Sequence, residues 1–366
     1  MNISCCFICV TSFQYMLSDI YARELYKQHG CKSLIILKYV SKSKNQNEYS
    51  EIYSIKYGII GKIWSFLISK IPIFIYITRI GRFFCNHNNH KIVLVYFNDR
   101  DPITQRLIKE IIYNSGKLVL MEEGLGTYYT SKDTELIGSK ICPDEIVVGY
   151  PELYKNNHKT WRNIRKFPYS DFFKRENMEI FISGFVDSFN HSSHADIIFL
   201  GASTPSSENL RKVECDLLLN IVKKFSEFSV IIKPHPRDRR KHLYNSYLKD
   251  IPKISIINDA LSKLPIESIL CFTKPQIIIS LFSSGSITIA NTFSHIQVIF
   301  CYEVVLTHNK ELSGKIEYFT NLLKNIHIPY SYDELYELLR LKEIKNMDDK
   351  LFYKNNNSLE IDFLIK

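Results

Sequence analysis

Four clusters of polar residues directly follow short apolar runs in this sequence, and each could take part in chemistry. Glu122 and Glu123 stand side by side before Gly124, after the apolar run of residues 117–121. Adjacent carboxylates repel each other, and burying them costs free energy unless another group pairs with them or a reaction uses them. The pair therefore lies either at an exposed turn or in a functional site. The other three clusters occupy residues 201–208, 234–237 and 281–285.

His235 stands between Pro234 and Pro236, where a predicted central strand ends. Proline fixes its own φ and restricts the residue before it, so this sequence holds the imidazole on a stiff turn. Histidine titrates near neutral pH, and it can protonate a leaving group or donate a hydrogen bond to an anionic phosphate. A turn histidine without a role in chemistry is the other interpretation, and His235 alone does not decide between the two.

Ser283, Ser284 and Gly285 follow another apolar run and begin a helical pattern. Serine hydroxyls and the backbone N–H groups of a helix N-terminus form a natural site for a phosphate. A plain serine N-cap would have the same sequence, so the motif is ambiguous by itself.

Asp99 and Asp101 follow the apolar run of residues 91–97, and such a pair can hold the metal ion of a nucleotide-sugar site. Asp101, however, precedes Pro102 and an amphipathic stretch, which favours a helix N-cap with proline at the first position. We expect no metal site. The basic run of residues 237–242 has no interleaved aromatic residues and no known module around it, so we expect no nucleic-acid partner.

Short runs rich in Ile, Val and Phe alternate with longer amphipathic stretches, which is typical of parallel α/β sheets. Parallel strands are joined by helices, so each apolar run is assigned to a strand and each amphipathic stretch to a helix. Strands are expected at residues 3–10, 33–39, 91–97, 117–121, 145–148, 196–200, 229–233, 253–257, 276–280 and 295–300, and helices at residues 13–28, 102–114, 208–227, 287–292 and 331–341.

The length of 366 residues and the hydrophobic content of 45% suit two domains rather than one core. Residues 151–194 are polar and lack a clear period, so we place the connection there and the domain boundary near residue 190. We predict an α/β protein with two doubly wound Rossmann-like domains facing a cleft, one spanning residues 1–190 and the other residues 191–366. In such sheets ligands bind beyond the carboxyl ends of the strands, where all four clusters are expected.

The composition limits the compartment and the partners. The net charge of +9 is compatible with an anionic substrate, with an anionic membrane surface or with solubility alone. Nine cysteines without a regular framework favour a reducing compartment. Cys6 and Cys9 form a lone CxxC pair within a predicted buried strand, which is not the context of a redox or zinc motif. No charged region precedes the first apolar run, so no cleavable signal is expected.

Residues 63–77 form a strongly apolar segment that a lysine and a proline interrupt, and it is too short to span a bilayer. Two interpretations stay open. The segment is either a buried helix–strand pair, or a membrane-facing patch flanked by Lys62, Arg79 and Arg82.

Together, the clusters resemble the bacterial sialyltransferases, most closely the lipooligosaccharide sialyltransferases of glycosyltransferase family 52. Members have an acidic pair followed by glycine, an HP motif and a serine pair, in this order. Cys9-Val-Thr-Ser-Phe-Gln14 also resembles the family's first strand-to-helix turn, so the resemblance extends from about residue 3 to about residue 305. The corresponding motifs here are Glu122-Glu123-Gly124, His235-Pro236 and Ser283-Ser284.

The resemblance implies a GT-B-like fold and an inverting, metal-independent transfer of sialic acid from CMP-sialic acid to a terminal sugar of lipooligosaccharide or capsule. It gives His235 the role of donating a hydrogen bond or proton to the departing CMP phosphate. Glu267 matches imperfectly an acidic position near the nucleotide. No cofactor other than the donor substrate is expected. The residues that the resemblance assigns to the CMP-sugar are Gly201, Pro236, Glu267, Ser283, Ser284 and Gly285.

The transition state of such a transfer is oxocarbenium-like, and the acceptor hydroxyl needs a carboxylate base. In related sialyltransferase families this base belongs to the acidic pair, which here is Glu123. In family 52 it resembles an aspartate in the loop after the first strand of the second domain. That loop, residues 201–208, is longer here and its only carboxylate is Glu208, which also fits a first-turn glutamate favoured by the helix dipole. We favour Glu123 and keep Glu208 as the alternative.

The same residues are also compatible with other functions. Some members of the family transfer glucose, and a GT-B transferase or epimerase that uses UDP-sugars would also place a histidine near phosphate. A membrane-associated glycan-assembly protein without catalytic activity is a further alternative. The resemblance also implies a cytoplasmic location, a peripheral contact with the inner membrane, an oligosaccharide or lipooligosaccharide acceptor, and a homodimer.

Overall fold

The computed structural model describes residues 3–44, 48–56, 58–71, 78–86, 90–129, 143–158, 163–186, 195–202, 208–236, 238, 240–306, 310–341, 361 and 364. The chain divides into two compact units, Met1–Phe172 with Asn357–Lys366, and Phe173–Asn356. This division lies before the boundary expected near residue 190, because the helix Arg175–Ser183 packs against the helix Ile266–Thr273 of the second unit.

In the first unit, the described residues form a sheet of seven parallel strands. The chain order reverses between β1 and β4, which makes the gap between them the topological switch point where such sheets bind ligands. The strands are β1 (Ile3–Cys9), β2 (Ser33–Lys38), β3 (Ser50–Ile55), β4 (Lys91–Tyr96), β5 (Lys117–Met121), β6 (Glu145–Val148) and β7 (Ile164–Lys166), in the order β3-β2-β1-β4-β5-β6-β7.

Two helices of this unit begin at a side-chain cap. Thr11 accepts a hydrogen bond from the Gln14 N–H at the start of the first helix. Asp101 accepts from two backbone N–H groups of the next turn, and Pro102 follows at the first helical position, so Asp101 is the predicted N-cap. The helices are α1 (Ser12–His29), α2 (Ile59–Lys70), α3 (Arg79–Asn86), α4 (Pro102–Tyr113), α5 (Pro151–His158) and α6 (Tyr169–Phe172), with a 3₁₀ turn at Leu125–Thr127.

In the second unit, the described residues form a sheet of six parallel strands, and the switch point lies between β8 and β11. The strands are β8 (Ile197–Leu200), β9 (Val230–Lys233), β10 (Ile254–Ile256), β11 (Ile277–Ser280), β12 (Gln297–Phe300) and β13 (Ile326–His327), in the order β10-β9-β8-β11-β12-β13. The helices are α7 (Arg175–Ser183), α8 (Glu208–Lys224), α9 (His242–Leu248), α10 (Asp259–Ser262), α11 (Ile266–Thr273), α12 (Ser284–Thr292), α13 (Tyr302–Leu306), α14 (Lys310–Leu322) and α15 (Tyr332–Arg340).

Strands β1, β2, β8, β9 and β11 are buried along their whole length, as helices on both faces of a parallel sheet require. All residues of β1 are buried, including Cys5, Cys6 and Cys9. Burial raises the pKa of the Cys9 thiol to about 12, so it stays protonated and unreactive near neutral pH. The interpretation of these cysteines as buried strand residues is confirmed.

All ten predicted strands are present, and their ends agree within two residues. Three strands were missed, β3, β7 and β13, and each lies at the edge of its sheet. An edge strand buries fewer side chains, so its sequence lacks the continuous apolar run by which the central strands are recognised. No helix within the described part of the chain is long and apolar enough to cross a membrane.

Candidate active site

The two glutamates after β5 lie in different environments. Glu122 is buried, and its carboxylate accepts hydrogen bonds from the hydroxyls of Tyr128 at 2.5 Å and Tyr169 at 2.6 Å and from the Gly149 N–H at 2.6 Å. Burial raises the pKa of Glu122, and these three bonds oppose the rise. Glu122 therefore ties the loops after β5 and β6 to α6 and is enclosed by protein groups.

Glu123 is half-buried and follows β5, and its carboxylate reaches residues that follow β1 and β4, the two strands at the switch point of the first sheet. Its Oε2 accepts hydrogen bonds from Gln14 Nε2 and Asn98 Nδ2, each at 2.8 Å. Gln14 is itself held because its Oε1 accepts from the Val10 N–H at 2.6 Å. The segments that follow three neighbouring strands, β1, β4 and β5, thus supply the carboxylate and the two amides that orient it.

The turn that carries Glu123 is supported from α5. Gly124 has a φ of 124°, a conformation that suits only glycine, and it redirects the chain after the acidic pair. Thr127 Oγ1 accepts from the Glu123 N–H at 2.9 Å. His158 Nε2 lies 3.0 Å from the Thr127 carbonyl, which can only accept, so Nε2 is the protonated nitrogen. Burial lowers the pKa of His158.

In the second unit, His235 follows β9 on a turn between two prolines. It is half-buried, and Pro236 after it is exposed. Its carbonyl accepts a hydrogen bond from the Asp238 N–H at 2.9 Å. Asp238 Oδ1 accepts in turn from the Arg240 N–H at 2.8 Å. The histidine backbone is therefore positioned by the turn that follows it as well as by the prolines.

A buried polar network that the sequence did not predict lies next to this turn. Arg211 on α8 pairs with Glu214 and, at 2.9 Å, with Asp238. The Tyr244 hydroxyl accepts from Arg211 and donates to Glu214 at 2.7 Å. A Cβ at Gly201 would overlap this hydroxyl, so a larger residue would force the loop after β8 or the Tyr244 side chain to shift.

The serine pair begins α12, as predicted. Ser283 is the N-cap, half-buried, and its side chain makes no capping hydrogen bond to the helix. Ser284 is exposed at the first helical position. A Cβ at Gly285 would lie 3.1 Å from the Ile266 side chain and 3.7 Å from Glu267 Oε1, so α11 closely approaches this turn. The Ser283 hydroxyl, which does not cap the helix, and the first N–H groups of α12 are suited to an anion.

Glu267 is buried on α11, and Lys233, the last residue of β9, is its buried electrostatic partner. Burial raises the pKa of Glu267 to about 7, and the charge of Lys233 opposes the rise. Burial lowers the pKa of Lys233 to about 8. Lys233 Nζ donates to the Ser262 carbonyl at 3.1 Å. Sequence reasoning missed Lys233, because it lies far along the chain from Glu267 and only the fold brings their charges together.

Strand register brings the clusters of the second unit to one edge. Leu200 of β8 pairs with Lys233 of β9 on one side and with Ser280 of β11 on the other. The next residues along each strand lead to Gly201, His235 and Ser283. The turns that carry them therefore leave three adjacent strands at the same level.

Glu208 differs from Glu123 in its surroundings. Its side chain is 62% exposed at the start of α8, and its carboxylate lies 3.7 Å from Arg240 Nη1. This is the environment of a first-turn glutamate that complements the helix dipole. Among the described residues no group of three His, Cys, Asp or Glu side chains is arranged to hold a metal ion.

The fold resembles those of several solved structures. The gt-b domain of a sialyltransferase from Photobacterium damselae matches with a TM-score of 0.54 and 13% identity, covering 89% of this chain and 99% of that one. A 2,6-sialyltransferase from Photobacterium sp. JT-ISH-224, in a ternary complex with CMP and lactose, matches with a TM-score of 0.57 and 12% identity, covering 89% and 78%. The UDP-GlcNAc 2-epimerase of Methanocaldococcus jannaschii matches with a TM-score of 0.59 and 15% identity, covering 97% and 96%. These likenesses confirm a GT-B-type fold of two Rossmann-like domains.

A search of curated protein sequences finds no match. Residues 7–303 match the family model described as alpha-2,8-polysialyltransferase (POLYST). The match covers more than half of the chain and includes the acidic pair, the HP motif and the serine pair. The predicted relationship to bacterial sialyltransferases is confirmed, and the protein is a glycosyltransferase. The chain belongs to the alpha-2,8-polysialyltransferase family.

Proposed function

We propose that this protein transfers sialic acid from CMP-sialic acid to a terminal sugar of a bacterial surface glycan, such as lipooligosaccharide or capsule, with inversion and without a metal ion. The observation that supports this most is the arrangement of His235 and the Ser283–Gly285 turn on either side of the loop after β8. An imidazole, hydroxyls and helix N-terminal amides suit one phosphate. The Photobacterium 2,6-sialyltransferase of the same fold was crystallised with CMP and a sugar acceptor, which supports the donor class.

On the donor side, the CMP leaving group carries a single phosphate, which one imidazole and a few donors can neutralise. His235 gives a hydrogen bond or proton to the phosphate as the bond to the sugar breaks. Ser283, Ser284 and the amides of the α12 N-terminus hold the phosphate oxygens. Gly201, Pro236 and Glu267 complete the surroundings of the nucleotide.

On the acceptor side, Glu123 removes the proton of the attacking hydroxyl. The acceptor oxygen forms the new bond to the anomeric carbon, the bond to CMP breaks, and the phosphate takes a hydrogen bond or proton from His235. The two amides on Oε2 hold the Glu123 carboxylate in one orientation. Glu208 is the alternative base, and its exposure and its pairing with Arg240 favour a helix-terminal role.

A donor screen tests the proposal. The purified protein is incubated with CMP-sialic acid and, separately, with UDP-sugars, and nucleotide release is followed. CMP release above buffer is expected, and His235→Ala should lower it about a hundredfold or more. If only UDP is released, a UDP-sugar enzyme is the better assignment, which the likeness to the UDP-GlcNAc 2-epimerase fold favours as the second candidate. Release of neither nucleotide would indicate a protein without this activity.

A further inference from the structure

Helix α2 exposes its large apolar side chains. Ile60 is 83% exposed and Phe66 is 60% exposed. Side chains of this kind normally lie against a core, and a contiguous exposed apolar patch marks an interaction surface. The exposed apolar residues of the helix, which we call the α2 face, are Ile59, Ile60, Ile63, Trp64 and Phe66.

The opposite side of α2 is the side that packs. It buries Gly61, Ser65 and Ile68, and the helix lies against α4. A Cβ at Gly61 would overlap the backbone of Lys56, so the helix approaches the chain before it through its smallest residue. At 3.6 residues per turn, the α2 face covers an arc of roughly 160° on the other side of the helix. The fold therefore directs the large apolar side chains outward.

The charged residues on α2 and next to it along the chain are all basic. Residues 52–98 contain six Lys or Arg and no Asp or Glu. Lys62 and Lys70 are exposed on α2 itself, Lys56 is exposed just before it, and Arg82 is exposed on α3. Cationic groups beside an apolar face complement anionic headgroups. The same groups would repel the identical face of a second copy.

The dimensions of α2 suit a helix that lies on a bilayer. It has 12 residues, whereas a helix needs about 20 to cross the hydrocarbon core. Trp64 is 38% exposed at the edge of the face, and it is hydrogen-bonded to the Tyr53 side chain. An indole with an apolar body and a bonded N–H is suited to the headgroup boundary.

We propose that the α2 face binds the surface of membranes that contain anionic phospholipids, with α2 parallel to the bilayer plane and Lys62 and Lys70 at the headgroup phosphates. The apolar side chains enter the boundary between headgroups and acyl chains, and the basic side chains make binding depend on lipid charge. None of the residues assigned to the donor or the acceptor lies on α2, so this surface is independent of the proposed chemistry.

Vesicle flotation tests the proposal. The wild-type protein should float with vesicles of phosphatidylcholine and phosphatidylglycerol, and binding to phosphatidylcholine alone should be about tenfold weaker or more, because each cation near the surface contributes about 1 kcal/mol.

Tryptophan fluorescence gives a second measurement. Trp161→Phe leaves Trp64 as the single tryptophan. Its emission should shift to shorter wavelength on the mixed vesicles, and brominated acyl chains should quench it.

Ile60→Glu and Phe66→Glu should each lower vesicle binding about tenfold or more. Both side chains are exposed, so both variants should fold. Leu322→Glu is the matched control, because Leu322 is also exposed, at 52%, but lies on α14 of the second unit, and it should bind like the wild type. CMP release with a soluble acceptor should be the same in all three variants, which separates this proposal from the proposed chemistry.

Absence of vesicle binding, or binding that both glutamate variants retain, would overturn the proposal. Equal binding to neutral and anionic vesicles would overturn it as well, because the basic side chains would then have no part in recognition. A dimer in solution that Phe66→Glu dissociates, together with absence of vesicle binding, would assign the α2 face to a second copy instead.

Discussion

Gln14 Nε2 donates to Glu123 Oε2 at 2.8 Å and thereby joins the first helix of the chain to a carboxylate 109 positions later. Asn98 donates to the same oxygen, also at 2.8 Å. The three residues follow β1, β4 and β5, which are neighbours in the sheet. One side-chain amide on α1 and one on the loop after β4 thus set the direction of this carboxylate.

Glu123→Gln should lower turnover about a hundredfold or more, because an amide cannot accept the proton of the acceptor hydroxyl. Glu208→Gln should stay within about twofold of the wild type, since an exposed glutamate at a helix start contributes only a fraction of a kcal/mol. Turnover with CMP-sialic acid and an acceptor sugar is the measurement. A large loss in Glu208→Gln with little change in Glu123→Gln would assign the base to Glu208.

Gln14→Ala and Asn98→Ala should each lower kcat about tenfold and leave KM for the donor unchanged, because each removes one hydrogen bond that orients the base. Gln28→Ala is the matched control on the same helix, since Gln28 is exposed and bonds only to Glu24 among the contacts described. A change of KM with kcat retained would instead indicate that these amides contact substrate.

Glu122→Gln should lower the free energy of unfolding by about 2 kcal/mol, because Glu122 accepts three hydrogen bonds and a glutamine side chain turns its NH₂ group toward at least one donor. Glu152→Gln, at an exposed pair with Lys155, is the control and should change stability by about 0.5 kcal/mol or less. Chemical denaturation measures both. Equal stability of the two variants would contradict the structural role of Glu122.

Gly201→Ala should destabilise the protein by about 2 kcal/mol, because the new methyl group overlaps the Tyr244 hydroxyl. In a Tyr244→Phe background the overlapping oxygen is absent, so Gly201→Ala should lower the free energy of unfolding by a smaller amount. A double-mutant cycle of unfolding free energies gives the coupling. Additive effects of the two substitutions would show that the loop after β8 does not depend on this contact.

Glu267→Gln should change how stability depends on pH. The pKa of Glu267 is about 7 in the folded protein and 4.5 as its ordinary value. Between these values the folded state binds more protons than the unfolded state, so this carboxyl lowers stability as pH rises through the window. The variant lacks this loss. Its free energy of unfolding, relative to that of the wild type, should therefore rise by on the order of 2–3 kcal/mol from about pH 5 to about pH 7.5.

Unfolding of Glu267→Gln and the wild type in parallel at several pH values checks this. The range ends near pH 7.5 because the pKa of Lys233 is lowered to about 8, and loss of its proton would add an opposite slope at higher pH. A constant difference between the two proteins over the whole range would contradict the raised pKa of Glu267.

The parallel α/β class, the central strands, the capped start of α4, the start of α12 and the positions of the acidic, histidine and serine clusters all follow from the amino-acid sequence. These features depend on near neighbours along the chain: an uninterrupted apolar run, a capping side chain, a proline at a helix start. The three missed strands lie at sheet edges, where partial burial leaves no such run.

Which glutamate of the pair is enclosed and which is held by two amides depends on contacts between distant parts of the chain. Gln14 and Asn98 reach Glu123, and Tyr128, Gly149 and Tyr169 reach Glu122, because of the strand order, which periodicity does not encode. The outward direction of the α2 face likewise follows from packing, since an apolar segment can turn its large side chains to a core or away from it. Local patterns select the elements, and contacts between distant parts of the chain decide what their side chains can do.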